Sequence, residues 1–135
     1  MDIRIGSGID FHRLIQDRAR PLLLGGFEIP GELALEGHSD AAIVLHAVAD
    51  AVLGAMADGD IGMLFPDTDA SLKNMNSALI LEETLRRMKS RGYRISNADV
   101  TLIGEQPRIH PYRAEIRPRM ADLLHVGLDR VSVKA

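Results

Sequence analysis

Ala98-Asp-Val-Thr-Leu-Ile103 runs into Gly104-Glu-Gln-Pro-Arg108, a helix-length stretch follows from Pro111 to about His125, and the chain then reads Arg130-Val-Ser-Val-Lys-Ala135. Two strand-like runs joined by one helical segment predict a βαβ unit, because parallel neighbours need a crossover of that length. Pro111 suits the first turn of the helix, where a missing N–H costs no hydrogen bond. Outward from this unit the same alternation continues. Residues 3–10 read as a strand in which Gly6 and Gly8 allow another backbone to come close. Leu14 to Arg20 reads as a polar loop. Pro21-Leu-Leu-Leu24 and Phe27-Glu-Ile29 flank Gly25-Gly26, a two-residue hairpin signal that Pro30 and Gly31 close. Helices are expected from Ser39 to about Ala57 and from Ser77 to Arg91, the second stopped by Gly92. The expected class is α/β (α+β), a single domain with helices over at least one face of a sheet.

The totals narrow the functions available. The chain has 135 residues, is 46% hydrophobic and 26% charged, and carries a net charge of −3. That is the balance of one globular domain with no electrostatic case for nucleic acid or an anionic membrane. It contains no cysteine, which leaves His, Asp and Glu as metal ligands. No apolar run is long enough to span a bilayer and no cleavable leader is evident, so a cytoplasmic protein is expected. Aromatic residues are only 4% and there is no Trp, which disfavours stacking platforms for bases or sugars.

Four constellations stand out. Asp10 and His12 lie two apart at the end of an extended run, so their side chains leave the same face. One further nitrogen would complete a three-ligand site with an open position, the arrangement of catalytic zinc. His46 is the candidate, on a helix apolar almost all round, where a polar group needs an explanation. On residues alone it is either that ligand or a satisfied core histidine. Asp50, one turn later, could orient it or form a local polar pair. His38-Ser39 opens the same helix, as a phosphate seat or simply as a cap. Asp58 through Asp69 reads as an acidic loop suited to hydroxyl groups or a cation, or merely solvated. Gly104 through His110 follows a strand and precedes a helix, where backbone groups can read a base and Arg108 can meet a phosphate. Arg86, Arg87, Lys89 and Arg91 read as a solvated helix face.

In order along the chain, Gly8-x-Asp10-x-His12, Gly25-Gly26, His38-Ser39-Asp40, Leu45-His46-Ala47, Asp60-Ile-Gly62-x-x-Phe65-Pro-Asp67-Thr-Asp69 and Asp99-Val-Thr101 resemble the 2-C-methyl-D-erythritol 2,4-cyclodiphosphate synthase family of the non-mevalonate isoprenoid pathway. The resemblance spans essentially the whole chain. It implies a mixed four-stranded sheet with helices on one face, assembled as a homotrimer with active sites between neighbours. It implies Asp10, His12 and His46 as ligands of a catalytic Zn²⁺, with Asp10 and His12 also near substrate. His38, the catalytic residue, and Ser39 would meet the phosphates. Asp60, Ile61, Gly62, Phe65, Pro66, Asp67, Thr68 and Asp69 would hold the methylerythritol part. Gly104, Glu105, Gln106, Pro107, Arg108, Ile109 and His110 would enclose the cytosine of a CDP-linked substrate, from the adjacent subunit. A second divalent ion, Mg²⁺ or Mn²⁺, is implied at the diphosphate. The implied enzyme is a phosphorus–oxygen lyase. A non-catalytic trimeric binding homologue and a metal-dependent phosphohydrolase are the competing readings. The family pattern has His-Ser-Asp-Gly-Asp where this chain has Ala41 and Ala42 after Asp40, one carboxylate fewer. The expectation is also that residues 1–135 lack the family's C-terminal strand end and helix, with their threonine, glutamate and arginine.

Overall fold

Among the residues described by the computed structural model, 2–36, 43–66, 68–69 and 76–135, the chain forms six short strands and four α-helices. The strands are β1 (Leu14–Gln16), β2 (Leu22–Leu24), β3 (Phe27–Ile29), β4 (Leu33–Leu35), β5 (Ala98–Thr101) and β6 (Val131–Lys134). The helices are α1 (Ile43–Ala55), α2 (Ile61–Leu64), α3 (Ser77–Ser90) and α4 (Arg113–Leu124).

The βαβ unit is present. β5 pairs in parallel with β6, Ala98 opposite Val131 and Thr101 opposite Lys134, and α4 makes the crossover. Val131 and Val133 are buried while Ser132 and Lys134 are exposed, the alternation of a half-covered strand. Arg117 fastens α4 beneath β6, donating from Nε to the Val131 carbonyl at 2.6 Å and from Nη2 to the Leu128 carbonyl at 2.8 Å. The helix begins two residues later than Pro111, after a 3₁₀ turn at His110–Tyr112, and tolerates Pro118 within it.

The glycine hairpin also forms. Gly25 and Gly26 take φ of +57° and +80°, the left-handed pair that a tight turn between β2 and β3 requires. The 14–20 segment departs from the loop expectation. Its first three residues are β1, antiparallel to β4 with Leu14 opposite Leu35. A three-residue strand whose partner lies beyond the intervening hairpin has too little local pattern to show in sequence. The mixed four-stranded sheet is likewise not what the described residues form. Their strands pair as three separate two-stranded ladders, two antiparallel and one parallel.

Residues 3–10 are the main departure. They are not part of any ladder, yet they keep a strand's alternation. Ile3, Ile5, Ile9 and Phe11 point outward, with Ile5 91% exposed. Gly6 and Gly8 press on α1 instead. A Cβ on Gly6 would sit 1.7 Å from the Ala51 carbonyl oxygen, and one on Gly8 would sit 1.8 Å from that of Ala47. The close approach read into those glycines is therefore to a helix backbone. It carries Asp10, the next residue of the same parity, to the level of His46.

The core gathers where α1, α3 and α4 meet the strands, with Leu81, Ile116 and Met120 among its most deeply buried members. Arg87 and Arg91 are not simply solvated. Both reach Asp58, at 3.4 and 2.8 Å, and tie α3 to the turn after α1, while Arg86 pairs with Glu83 on the outer face. Among the described residues no helix is long and apolar enough to cross a membrane.

Candidate metal centre

Asp10, His12 and His46 converge, one donor atom from each lying within 4.8 Å of the others. His12 Nε2 is 3.0 Å and His46 Nδ1 is 3.4 Å from the same oxygen, Asp10 Oδ2. The second carboxylate oxygen accepts the Phe11 N–H at 3.0 Å, which fixes the plane of the group. The two rings stand 6.1 Å apart, tilted by 54°.

Burial pushes the Asp10 carboxyl up, but hydrogen bonds from His46 and His12 and the charges of the two rings outweigh it and hold the pKa below its ordinary value. A carboxylate depressed in this way stabilises the fold above its unfolded-state pKa. That contribution is lost as pH falls through the lower folded-state value. At neutral pH the centre therefore holds an anion between two imidazoles.

This donor set fits a metal ion. Ligands about 2.0–2.2 Å from one tetrahedral zinc lie roughly 3.4 Å from each other, close to the 3.0 and 3.4 Å separations seen here. Two nitrogens and one oxygen with no thiolate suit a borderline cation and leave one position open.

His12 turns Nδ1 toward the Glu36 carbonyl at 3.3 Å, and His46 turns Nε2 toward Ser77 Oγ at 2.9 Å. Neither partner was foreseen. Glu36 acts through its backbone, and Ser77 lies 31 residues from His46, so no local spacing announces either. Asp50 does something else. Its Oδ1 accepts the Ile61 N–H at 2.8 Å, and with Asp60, which accepts from Met63 N at 2.9 Å, it serves the free N–H groups at the start of α2.

A cavity of about 550 Å³ opens beside the centre. Asp10 and His12 border it on one side, the whole Gly104–His110 loop on another, and Leu22, Leu24 and Val44 line its apolar floor. The loop thus shares a cavity with Asp10 and His12 of its own chain. Asp60, Ile61, Gly62, Phe65 and Pro66 do not border it; they cap, form and follow α2, which is anchored to α1 one turn beyond His46. Thr68 and Asp69 are exposed, in a turn closed by the Asp69 N–H on the Pro66 carbonyl. The His38, Ser39 and Asp67 expectations fall outside the described residues.

Residues 3–135 match the sequence profile of the YgbB family. A 2-C-methyl-D-erythritol 2,4-cyclodiphosphate synthase of Leptospira borgpetersenii serovar Hardjo-bovis is 54% identical over 132 residues, covering 98% of this chain and 82% of that protein. A solved 2C-methyl-D-erythritol-2,4-cyclodiphosphate synthase in its CDP-bound form superposes with a TM-score of 0.87 at 38% identity, covering 97% of this chain and 86% of the other. The bifunctional IspDF of Campylobacter jejuni superposes at 0.91 and 34% identity, covering 99% of this chain and 36% of that one.

Proposed function

This chain belongs to the YgbB family, and from that premise we propose that it converts 4-diphosphocytidyl-2-C-methyl-D-erythritol 2-phosphate to 2-C-methyl-D-erythritol 2,4-cyclodiphosphate with release of CMP, a step of non-mevalonate isoprenoid synthesis. The carrying observation is the convergence of Asp10, His12 and His46 at a cavity in a chain whose relatives bear that enzyme's name.

The reaction is intramolecular. An oxygen of the 2-phosphate attacks the β-phosphorus, the bond from that phosphorus to the bridging oxygen breaks, and CMP leaves with the electron pair. No enzymic nucleophile is needed, so catalysis is positioning and charge neutralisation. Asp10, His12 and His46 would hold the cation, proposed to be Zn²⁺. When bound there it supplies Lewis-acid charge to the diphosphate. Mg²⁺ or Mn²⁺ is the proposed second ion. His38 and Ser39 take the substrate phosphates, the former as the catalytic residue, and Asp60 through Asp69 the methylerythritol hydroxyls. The Gly104–His110 loop takes the cytosine, and Arg108 stands in the cavity wall for an anionic group. The reaction class is a phosphorus–oxygen lyase.

The proposed assembly is a homotrimer in which the 104–110 loop of each subunit encloses the cytosine at its neighbour's site. Its support is the exposed row of Ile3, Ile5, Ile9 and Phe11, with Ile103 96% exposed, of which Ile9, Phe11 and Ile103 also line the cavity. Several large apolar side chains exposed along one segment suit burial against a neighbouring subunit. Ile5→Glu is expected to shift the protein from trimer to monomer in light scattering behind size exclusion. A trimer that survives this change would remove the row from the interface.

Loading the protein with zinc and magnesium and adding the substrate tests the whole reading. CMP and the cyclic diphosphate in equal amounts, seen by phosphorus NMR, are the expected products. Linear phosphate products would indicate a hydrolase, and binding without CMP a non-catalytic homologue.

A further inference from the structure

The two imidazoles of the centre are held from behind by different kinds of group. The Glu36 carbonyl can only accept, so it keeps a proton on His12 Nδ1 and leaves Nε2 as the nitrogen that would turn its lone pair to a cation in place of the hydrogen bond to Asp10. His46 is reversed, with Nδ1 toward Asp10 and Nε2 at 2.9 Å from Ser77 Oγ. Ser77 is 2% exposed and is the first residue of α3. A serine at a helix start commonly serves the free N–H groups, but here Asn76 does so, accepting the Ala78 N–H at 2.8 Å. The Ser77 hydroxyl therefore has another use.

We propose that Ser77 is a positioning residue, whose Oγ holds the outer nitrogen of His46 so that Nδ1 presents its lone pair at the Asp10–His12 centre. This rests on the reading of Asp10, His12 and His46 as metal ligands. A hydroxyl both donates and accepts. It can therefore stay bonded to Nε2 when Nδ1 carries the proton and donates to Asp10, and again when the proton has moved to Nε2 and Nδ1 faces a cation. A carbonyl would allow only the second state and alanine neither. Together with the Asp10 contact at Nδ1, the bond restrains the rotation of the ring about its stem. Outer partners of this kind are worth roughly 10- to 100-fold in metal affinity.

Zinc competition titration on the full chain tests the assignment, with cobalt absorption as a second readout. Ser77→Ala is expected to bind zinc roughly 10- to 100-fold more weakly and to change the visible cobalt bands. Ser77→Thr, which keeps the hydroxyl, is expected to recover most of the affinity. Asn76→Ala is the control at the same helix end; it lowers the unfolding temperature and leaves zinc affinity as in the parent. Parental zinc affinity in Ser77→Ala would overturn the proposal while leaving the three ligands in place. Equal weakening in Asn76→Ala would overturn it too, by assigning the effect to the start of α3. A parent protein that takes up no zinc would instead overturn the ligand reading and the proposal with it.

Discussion

His46→Ala is expected to leave the protein folded and without bound metal. The ring supplies one of three donors, and a carboxylate with a single imidazole offers no more than an ordinary surface pair. Zinc measured by emission spectroscopy after desalting should fall to background. Lewis-acid stabilisation is worth several kcal/mol and each 1.36 kcal/mol is tenfold in rate, so CMP release should slow by about a thousandfold or more. The helix itself loses little, because alanine is the best helix former and the site lies at the rim of the core. The remaining cost is the Ser77 hydroxyl left without its partner, about 1–3 kcal/mol, visible as a lower unfolding temperature with an unchanged circular dichroism spectrum. Parental zinc content in this variant would refute the ligand assignment.

Gly8→Ala has the second largest effect, and it acts through the backbone alone. The new methyl would lie 1.8 Å from the Ala47 carbonyl oxygen and 2.8 Å from its carbon. Both atoms belong to a helix and cannot swing aside, so the 2–12 segment must lift from α1 by more than an ångström. Asp10 is two residues on and moves with it. Misplacement by about 1 Å can cost a hundredfold in rate, and zinc affinity should fall in parallel. Overpacking of this kind costs about 1–3 kcal/mol in stability, which urea unfolding measures. A Gly8→Ala protein with parental zinc affinity would show that the segment does not depend on this contact.

The outcome at individual residues shows which features were legible. Gly25-Gly26, the α3 span ending before Gly92 and the β5–α4–β6 unit are local patterns of turn chemistry and periodicity, and all were readable. β1 was not, because three residues hold too little pattern and its partner β4 lies across a hairpin. Segment 2–12 has strand alternation without a strand partner. Its glycines announced a close approach, but nothing local says that the surface approached is α1.

The class of the fold and the grouping of Asp10, His12 and His46 were legible in the sequence by itself. Residue chemistry and two- or four-residue spacing survive in a linear string, and the ordered motifs carry the family. What stands behind those three side chains came from the packing of the fold. Asp50, the neighbour by helical spacing, caps α2, while Ser77, 31 residues away, holds His46. A carboxylate one turn from an imidazole is placed beside it by the helix, but its hydrogen bond goes to whichever donor the packed neighbours leave unpaired. Here that donor was the first N–H of α2. Which buried group lacks a partner is a property of the assembled core, and no spacing along the chain records it.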